Sequence, residues 1–247
     1  MKDIDKLIKN NRTAIKPIWQ ELRFSDTPRK QGKPKPLLYK QAKENAVIVG
    51  LTNEFPNIKQ KSLTECIKTR RSLRQYSEVP FTFEELSYVM WETSRVDRHT
   101  DSATFRTIPT GGATNAMETY VMVNNVEGMK PGVYHYVQDK HILALIDEKD
   151  SVQNRTNKAL SQQLRGAAIV LILTAVPYRS EYKYSFTAHK MIAMEAGHSG
   201  QNASLVAENL DAGAVCLAAY NQKLLDELLQ IDGEEEFATY AIPMGKK

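Results

Sequence analysis

The stretch EAGHSGQNASLVAENLDAGAVCLAAY, residues 195–220, joins two kinds of predicted element. Its first half is rich in alanine and glycine, and such small side chains let neighbouring backbones approach closely. This pattern predicts a long core helix over about residues 186–211. The second half, residues 213–220, is short and apolar, which predicts a strand. A buried helix that leads directly into a strand is typical of domains in which helices pack on a sheet.

More strands and helices are predicted on both sides of this stretch. Further strands are predicted at residues 119–125, 132–138, 141–147, 167–176 and 237–245. The dipeptide Asp139-Lys140 between two of them predicts a hairpin. The sequences SLTE (residues 62–65) and TFEE (82–85) have the form of capping boxes, and each predicts the start of a helix. We therefore expect an α+β fold with a mixed sheet flanked by helices.

The size and composition of the chain limit its organisation. Its 247 residues, of which 42% are hydrophobic and 25% charged, are enough for one large domain or two small ones. Residues 61–247 carry the strong helix and strand patterns and are predicted to form one domain. Residues 1–60 are predicted to form an extension, with a helix over residues 1–23 and then an irregular stretch rich in proline and lysine. The two cysteines, Cys66 and Cys216, lie far apart without metal-ligand spacing, so neither a disulfide framework nor a metal site is expected.

The net charge of +4 is unevenly distributed, because residues 28–43 contain six basic residues and no acidic one. A basic segment with several prolines is more typical of a solvated linker than of a nucleic-acid groove. No nucleic-acid-binding motif is present, so no nucleic-acid partner is expected. The first residues, MKDIDKLIKNNR, lack the apolar run of a secretory signal, and no apolar run reaches the ~20 residues of a membrane-spanning helix. We therefore expect a cytoplasmic protein without a membrane partner.

Positive charge is densest in KTRRSLRQY, residues 68–76, where Arg70, Arg71 and Arg74 surround Ser72. Three guanidinium groups and a hydroxyl form a credible site for a dianionic phosphate, because each charged hydrogen bond contributes ~1.5–3 kcal/mol when partly shielded. The same residues lie at the predicted end of a helix, where the helix dipole favours cations without any ligand. The stretch alone leaves both interpretations open.

The common glycine-rich phosphate-binding motifs are absent from the sequence. Neither the G-x-x-x-x-G-K-[ST] loop nor a G-x-G-x-x-G turn that opens a helix occurs. The stretch PTGG, residues 109–112, is a different signal, because two glycines after a proline permit close backbone approach to a flat ligand. A simple turn would use the same residues, so this motif is also undecided in isolation.

Taken in order, five motifs resemble those of the flavin-dependent nitroreductase family. They are RRSLR, RTIPTGGATNAMETYVMV, PGVYHY, EAGHSGQNASLVAENLDAGAVCLAAY and YAIPMGKK, within about residues 60–245. The second motif is similar to that of the SagB-like branch, which includes dehydrogenases that oxidise azolines in ribosomal peptides. That branch usually reads P-S-A-G-A-x-x-P-x-E-x-Y, where this chain reads P-T-G-G-A-T-N-A-M-E-T-Y. Asn115 and Ala116 replace a frequent tyrosine and the usual proline, which weakens the case for azoline oxidation.

The resemblance implies a mixed α+β fold that forms a homodimer through long helices, with FMN at the interface in contact with both chains. By resemblance, the FMN-binding residues are Arg70, Arg71, Ser72 and Arg74 at the phosphate, ribityl chain and pyrimidine edge, Pro109, Thr110, Gly111 and Gly112 along the ring from the partner subunit, Ala218 and Ala219 near the flavin N5, and Lys246 near the phosphate.

The resemblance also implies an activity. In this family FMN carries the chemistry and NAD(P)H is the electron donor, so no side chain is expected to act as a catalytic acid, base or nucleophile. The leading hypothesis is an NAD(P)H oxidoreductase of nitroreductase type that reduces a nitroaromatic, a quinone or another small acceptor. Two alternative hypotheses also assume bound flavin: a SagB-like peptide azoline dehydrogenase, and a flavin-binding protein with little turnover.

Overall fold

The computed structural model of the chain describes residues 3–247. Within this range the helices are α1 (Ile4–Ile15), α2 (Leu63–Thr69), α3 (Phe83–Ser94), α4 (Val152–Ala159), α5 (Tyr178–Tyr184), α6 (Ala188–Asn209) and α7 (Gln222–Leu229). The strands in the same range are β1 (Ile48–Gly50), β2 (Val96–His99), β3 (Thr104–Arg106), β4 (Met117–Val123), β5 (Gly132–Val137), β6 (Ile142–Asp147), β7 (Ile169–Ala175), β8 (Ala212–Ala214) and β9 (Phe237–Lys246).

The main sheet has seven strands in the order β1-β6-β5-β4-β7-β9-β8, and each neighbouring pair is antiparallel. Strand β7 lies near the centre and is buried along its whole length, which explains why it reads as a continuous apolar run. The hairpin predicted at Asp139-Lys140 joins β5 to β6. Helices cover the sheet, and the predicted α+β fold with a sheet flanked by helices is confirmed.

Helix α6 is the long helix that the small residues predict, and it packs against β8, β9, α3 and α5. Gly200 is one reason why it can lie so close to the sheet. A Cβ atom at Gly200 would lie 2.8 Å from the Tyr240 ring and 3.3 Å from the Cys216 sulfur. A larger residue there would push the helix away from β9.

Two predicted helices differ from the structure in detail. Helix α1 ends at Ile15 rather than near residue 23, because Pro17 follows and the residue before a proline disfavours helical backbone. Residues 1 and 2 of the predicted helix lie outside the described residues. At α2, Ser62 accepts from the Glu65 N–H at 3.1 Å, but within residues 3–247 the reciprocal bond from the Ser62 N–H to the glutamate is absent. The TFEE box at α3 has both bonds.

The strand predicted over residues 213–220 is shorter than expected, since β8 ends at Ala214. Val215 donates its N–H to the Pro243 carbonyl at 3.2 Å, but a proline has no N–H to return. The ladder therefore breaks, and pairing with β9 resumes only at a single bridge between Leu217 and Ala241. Residues 218–220 leave the sheet and remain partly exposed.

The N-terminal extension lies against the body of the protein at several points. It contributes β1, a strand that the sequence did not predict, to the edge of the sheet beside β6. Lys40 donates to Glu236 at 2.5 Å and to the Tyr120 hydroxyl at 2.7 Å. Trp19 packs edge-to-face against Tyr184, with 5.9 Å between ring centroids. Across residues 3–247, no helix has the length and apolar character needed to cross a membrane.

Candidate functional site

The arginine stretch begins where α2 ends and then runs along the edge of the sheet. Arg70 is the residue that ends the helix, and its N–H donates to the Cys66 carbonyl at 2.9 Å. Ser72 pairs with Ala214 in a single parallel bridge, and the Leu73 N–H donates to the Ala214 carbonyl at 3.1 Å.

Two glycines permit this close approach of the arginine stretch to the sheet. A Cβ atom at Gly213 would lie 2.4 Å from the nearest atom of the Leu73 side chain. At Gly245 it would lie 2.8 Å from the Tyr76 side chain. The sequence AGA of β8 and the glycine near the end of β9 therefore determine where the arginines lie.

The three arginines differ in their partners. Arg71 donates to the carbonyls of Lys68 and Arg70 at 3.0 and 2.7 Å, so it acts partly as a cation at a helix C-terminus. Within residues 3–247, the guanidinium groups of Arg70 and Arg74 make no ion pair and no side-chain hydrogen bond. These two guanidinium groups, at one edge of the sheet, are available to an anionic ligand.

Lys246, predicted near the same phosphate, is already paired within the chain. Its ammonium group forms an ion pair with Glu85, donates to the Leu210 carbonyl at 3.1 Å and lies 5.5 Å from the centre of the Phe81 ring. The neighbouring Lys247 is paired with Glu208 at 2.8 Å. Lys246 therefore lies close to the arginine stretch, but its charge is largely compensated by Glu85.

Ala218 lies at the edge of a cleft whose volume is about 500 Å³. The cleft lies between α6 and β9, and its walls are mostly apolar. Its lining includes Ile192, Ala193, Ala196, Gly197, Phe237 and Tyr240. The N–H groups of Ala218 and Ala219 have no acceptor within residues 3–247, and both residues are exposed. A ligand in the cleft would find two free backbone donors at its edge.

The residues of the loop PTGG contact the side of α6 that faces away from this cleft. Met191, Met194, Glu195 and His198 of α6 border the loop, whereas Ile192, Ala193, Ala196 and Gly197 border the cleft. At 100° per residue these two sets point to opposite sides of a helix that is ~10 Å thick. One small ligand bound to a single chain therefore cannot touch both the loop and the cleft.

Hydrogen bonds attach the loop to α6. The Thr110 hydroxyl donates to Glu195 Oε2 at 2.7 Å, and the N–H of Met117 lies 3.3 Å from Oε1 of the same carboxylate. The carbonyl of Pro109 lies 3.2 Å from His198 Nδ1, as a hydrogen-bond acceptor. The glutamate is almost completely buried. Sequence reasoning did not identify Glu195 as a site residue; the one signal was a carboxylate in a helix of small residues.

Both glycines of the loop are needed for its packing. A Cβ at Gly111 would lie 1.9 Å from the Met191 methyl group. Gly112 has φ +59°, and a Cβ there would lie 2.1 Å from the Tyr184 hydroxyl. The loop is therefore closely packed on the side that faces α6 and Tyr184, while Pro109 and Gly112 remain exposed.

A buried ion pair supports the far end of this loop. Arg179 donates to Glu118 at 2.6 Å and to the Asn115 carbonyl at 3.2 Å. Burial alone would raise the pKa of Glu118, but Arg179, the hydrogen bond from His135 and the charge of Arg106 together lower it well below its usual value. Glu118 therefore stays ionised, and Arg179 holds the backbone that follows the loop.

Comparisons with known proteins show which proteins this chain resembles. A protein-family model described as "Nitroreductase family" matches residues 67–246. A protein of Methanocaldococcus jannaschii that is named as a nitroreductase, MJ1384, is 33% identical over 195 residues, which cover 78% of this chain and 96% of that protein.

Two solved structures share the fold. A nitroreductase-named protein of Anabaena variabilis has a TM-score of 0.68 at 24% identity, and the match covers 82% of this chain but only 42% of the Anabaena chain. A chain of the E. coli microcin synthetase McbBCD complex, solved with truncated pro-MccB17 bound, has a TM-score of 0.63 at 17% identity. That match covers 98% of this chain and 92% of the E. coli chain.

Proposed function

This chain belongs to the nitroreductase family, and we propose that it is an FMN-dependent oxidoreductase that transfers hydride from NAD(P)H to a nitroaromatic, a quinone or another small acceptor. The observation that carries the proposal is a line of features along one edge of the sheet. The unpaired Arg70 and Arg74 lie at one end of it, and the cleft beside Ala218 lies at the other.

The dimensions of this line fit an elongated flavin. The extended segment from Ala214, which pairs with Ser72, to Ala218 spans four residues and therefore ~13 Å. An anionic phosphate at the arginine end and a flat apolar ring at the cleft would both be accommodated. The chemistry that a bound flavin supplies is hydride transfer from NAD(P)H to an oxidised acceptor.

The residues of the chain would bind and orient the cofactor rather than take part in the chemistry. Arg70, Arg74 and the Ser72 hydroxyl would hold the phosphate, with Arg71 and Lys246 adding charge next to it. The N–H groups of Ala218 and Ala219 would donate hydrogen bonds at the reacting edge of the ring. The apolar wall of α6 would exclude water there.

We further propose that the site is shared between two copies of the chain. The loop PTGG and the cleft lie on opposite sides of α6, so the loop of one copy would reach the cleft of the other. In this arrangement residues 61–247 form the flavin domain and residues 1–60 form an extension to it, of which the part around Arg29 and Lys35 lies close to the loop.

A visible absorbance spectrum of the purified protein tests the proposal, followed by anaerobic addition of NADH and then NADPH. We expect a yellow protein whose flavin absorbance bleaches with a nicotinamide donor. A yellow protein that does not bleach would favour a peptide dehydrogenase or a flavin-binding protein with little turnover. A colourless protein that fails to take up added FMN would contradict the assignment of the arginine stretch.

One observation favours a second candidate, a SagB-like peptide dehydrogenase that works in the cytoplasm with a modifying partner. The family model begins at residue 67, whereas the match to the E. coli McbBCD chain covers 98% of this chain and so includes most of the N-terminal extension. Oxidation of an azoline-containing peptide by the oxidised protein, with no NAD(P)H turnover, would identify this activity.

A further inference from the structure

Three cations converge on the outer side of the loop PTGG, away from the arginine stretch. Lys183 of α5 donates to the Gly112 carbonyl at 2.7 Å. Arg29 and Lys35 come from the basic segment of the N-terminal extension, and Lys35 lines a small cleft together with Lys183 and Ala113. The segment that the sequence analysis treated as a linker therefore reaches the loop.

Hydrogen bonds hold this segment beside α5. The Arg29 N–H donates to the Tyr182 carbonyl at 3.0 Å. The Tyr178 hydroxyl donates to the Pro34 carbonyl at 2.8 Å. Because Arg29 and Pro34 are both attached to α5, the side chains of Arg29 and Lys35 are kept close to Lys183.

The positive charge of this cluster is not compensated within the chain. Among the side chains that the structure describes, no carboxylate lies within 4.0 Å of Arg29, Lys35 or Lys183. Two acids of neighbouring elements are already engaged: Glu181 with His189 at 2.9 Å, and Glu118 with Arg179 at 2.6 Å.

Like charges held together cost free energy unless an anion binds between them. The pKa of Lys183 is lowered by burial and then by the charges of Arg29 and Lys35, which agrees with this crowding. The cleft also has apolar and aromatic walls, because Leu37, Leu38 and Tyr182 line it. The space between these walls is only about 30 Å³, so a phosphate group would bind at its mouth, against the cations, and the rest of the ligand would lie outside it.

We propose that Arg29, Lys35 and Lys183 form a subsite for the phosphate groups of the nicotinamide dinucleotide donor, and that this subsite makes the protein prefer NADPH to NADH. The inference rests on the proposed function. NADPH carries one more phosphate monoester than NADH, with a charge between −1 and −2 near pH 7, so an uncompensated cluster of three cations stabilises it more.

The phosphate of the flavin itself is a less suitable ligand for this cluster. Thr69, next to the arginine stretch, bonds Glu208 at the C-terminal end of α6, whereas Thr110 of the loop bonds Glu195. Thirteen residues of helix separate these two glutamates, which corresponds to ~20 Å. Within one chain the two cationic regions are therefore separate sites.

Calorimetric titration of the full-length flavin-loaded protein with 2′,5′-ADP and with 5′-AMP tests the proposal, because the two probes differ only in the 2′-phosphate. We expect 2′,5′-ADP to bind about tenfold more tightly, as one partly shielded charged contact implies. The double variant Arg29→Gln/Lys35→Gln should bind both probes equally and should lose the preference for NADPH in KM. The matched control Lys6→Gln/Lys9→Gln removes the same charge from α1 and should keep the preference.

Three results would overturn the subsite: equal binding of the two probes by the wild-type protein, an unchanged preference in the double variant, or loss of FMN rather than of 2′,5′-ADP from that variant. Flavin content and bleaching are measured on the same samples, so failure of the proposed function is distinguishable. A protein without flavin that still prefers 2′,5′-ADP would retain the subsite and lose the oxidoreductase assignment.

Discussion

Thr110 and Glu195 are joined by a hydrogen bond of 2.7 Å, from the threonine hydroxyl to Oε2 of the glutamate. The other oxygen of the same carboxylate accepts from the Met117 N–H at 3.3 Å. One buried side chain of α6 therefore holds both ends of the segment that contains PTGG. This carboxylate acts together with the Pro109–His198 hydrogen bond and the packing of Gly111 on Met191 to position the segment on α6.

The first prediction concerns this contact. Thr110→Val should lower the free energy of unfolding by about 1–3 kcal/mol, because it leaves one oxygen of a buried carboxylate without its donor. Glu195→Gln should show a coupling of at least ~0.5 kcal/mol with it in a double-mutant cycle. Urea denaturation measures both. Thr64→Val, at an exposed position of α2, is the matched control and should change stability little. Additive effects of the two substitutions would show that the contact does not hold the loop.

The second prediction separates backbone strain from packing at Gly112. Gly112 and Gly128 both have positive φ, +59° and +73°, but only Gly112 has a neighbour within 4 Å of a Cβ, the Tyr184 hydroxyl. Gly128→Ala should lower the free energy of unfolding by about 1–2 kcal/mol, because alanine is strained in the left-handed backbone conformation. Gly112→Ala should cost about 1 kcal/mol more, and Tyr184→Phe should recover part of that excess by removing the clashing oxygen. Equal losses at the two glycines would exclude a packing role for Tyr184.

The third prediction concerns the unpaired arginines. Arg70→Gln/Arg74→Gln should weaken FMN binding by about 100-fold or more, because two charged hydrogen bonds of ~1.5–3 kcal/mol each are lost. The thermal midpoint should stay close to that of the wild type, since neither guanidinium has a side-chain partner within residues 3–247. Flavin absorbance after gel filtration measures retention. The charge-matched variant Lys6→Gln/Lys9→Gln should keep its FMN. Stoichiometric flavin in the arginine variant would show that the FMN phosphate binds elsewhere.

The fourth prediction tests whether two chains share the site. Arg70→Gln/Arg74→Gln lacks the phosphate end, and Gly111→Leu disrupts the loop because its Cβ would meet Met191 at 1.9 Å. Neither homodimer should bind FMN. If the loop and the cleft come from different chains, the heterodimer contains one intact site and should bind about one FMN. Differently tagged chains allow the heterodimer to be isolated and its flavin counted. A heterodimer as empty as its parents would place each site within one chain.

The fifth prediction is a dependence of stability on pH. The folded protein holds the pKa of Glu118 below its usual value, so the Glu118–Arg179 pair stabilises the fold at any pH above the unfolded value of ~4.3. This contribution is lost as the pH falls below about 4, through the lower folded pKa. Glu118→Gln should lower the free energy of unfolding by about 3–5 kcal/mol at pH 7, because Arg179 is left buried and unpaired. The free energy of unfolding of this variant should also fall less steeply than that of the wild type as the pH drops below about 4.

Urea denaturation at several pH values from 7 to about 3 tests this dependence. The exposed carboxylate variant Glu127→Gln is the control and should follow the wild-type curve. A Glu118→Gln curve parallel to that of the wild type would assign the acid sensitivity to other groups.

Local patterns predicted most of the fold. The apolar run of β7, the TFEE box of α3 and the small residues of α6 each involve neighbours in sequence, and each element formed close to its predicted bounds. The early end of α1 could also have been predicted from the sequence, because Pro17 lies next to it in the chain. The end of β8 was not, because it depends on Pro243, which lies in another strand.

The residue types of the candidate site could likewise be read from the sequence, but the hydrogen-bond and ion-pair partners of their side chains could not. RRSLR was compatible with a phosphate site or with cations at a helix end, and only packing distinguishes Arg71, bonded to helix carbonyls, from Arg70 and Arg74. Nothing local to Lys246 indicated that Glu85, 161 residues away in sequence, compensates its charge. Side-chain partners distant in sequence are set by the folded chain alone.

The sequence by itself determined the α+β class, the order of its main helices and strands and the motifs of a nitroreductase, because hydrophobic period, capping and glycine placement are properties of neighbouring residues. The tertiary structure alone decided that PTGG and the cleft lie on opposite sides of α6, and that the basic extension returns to Lys183. Those relationships arise from long-range packing, in which α6 is buried between the sheet and the loop, and a sequence pattern does not specify which distant surfaces meet.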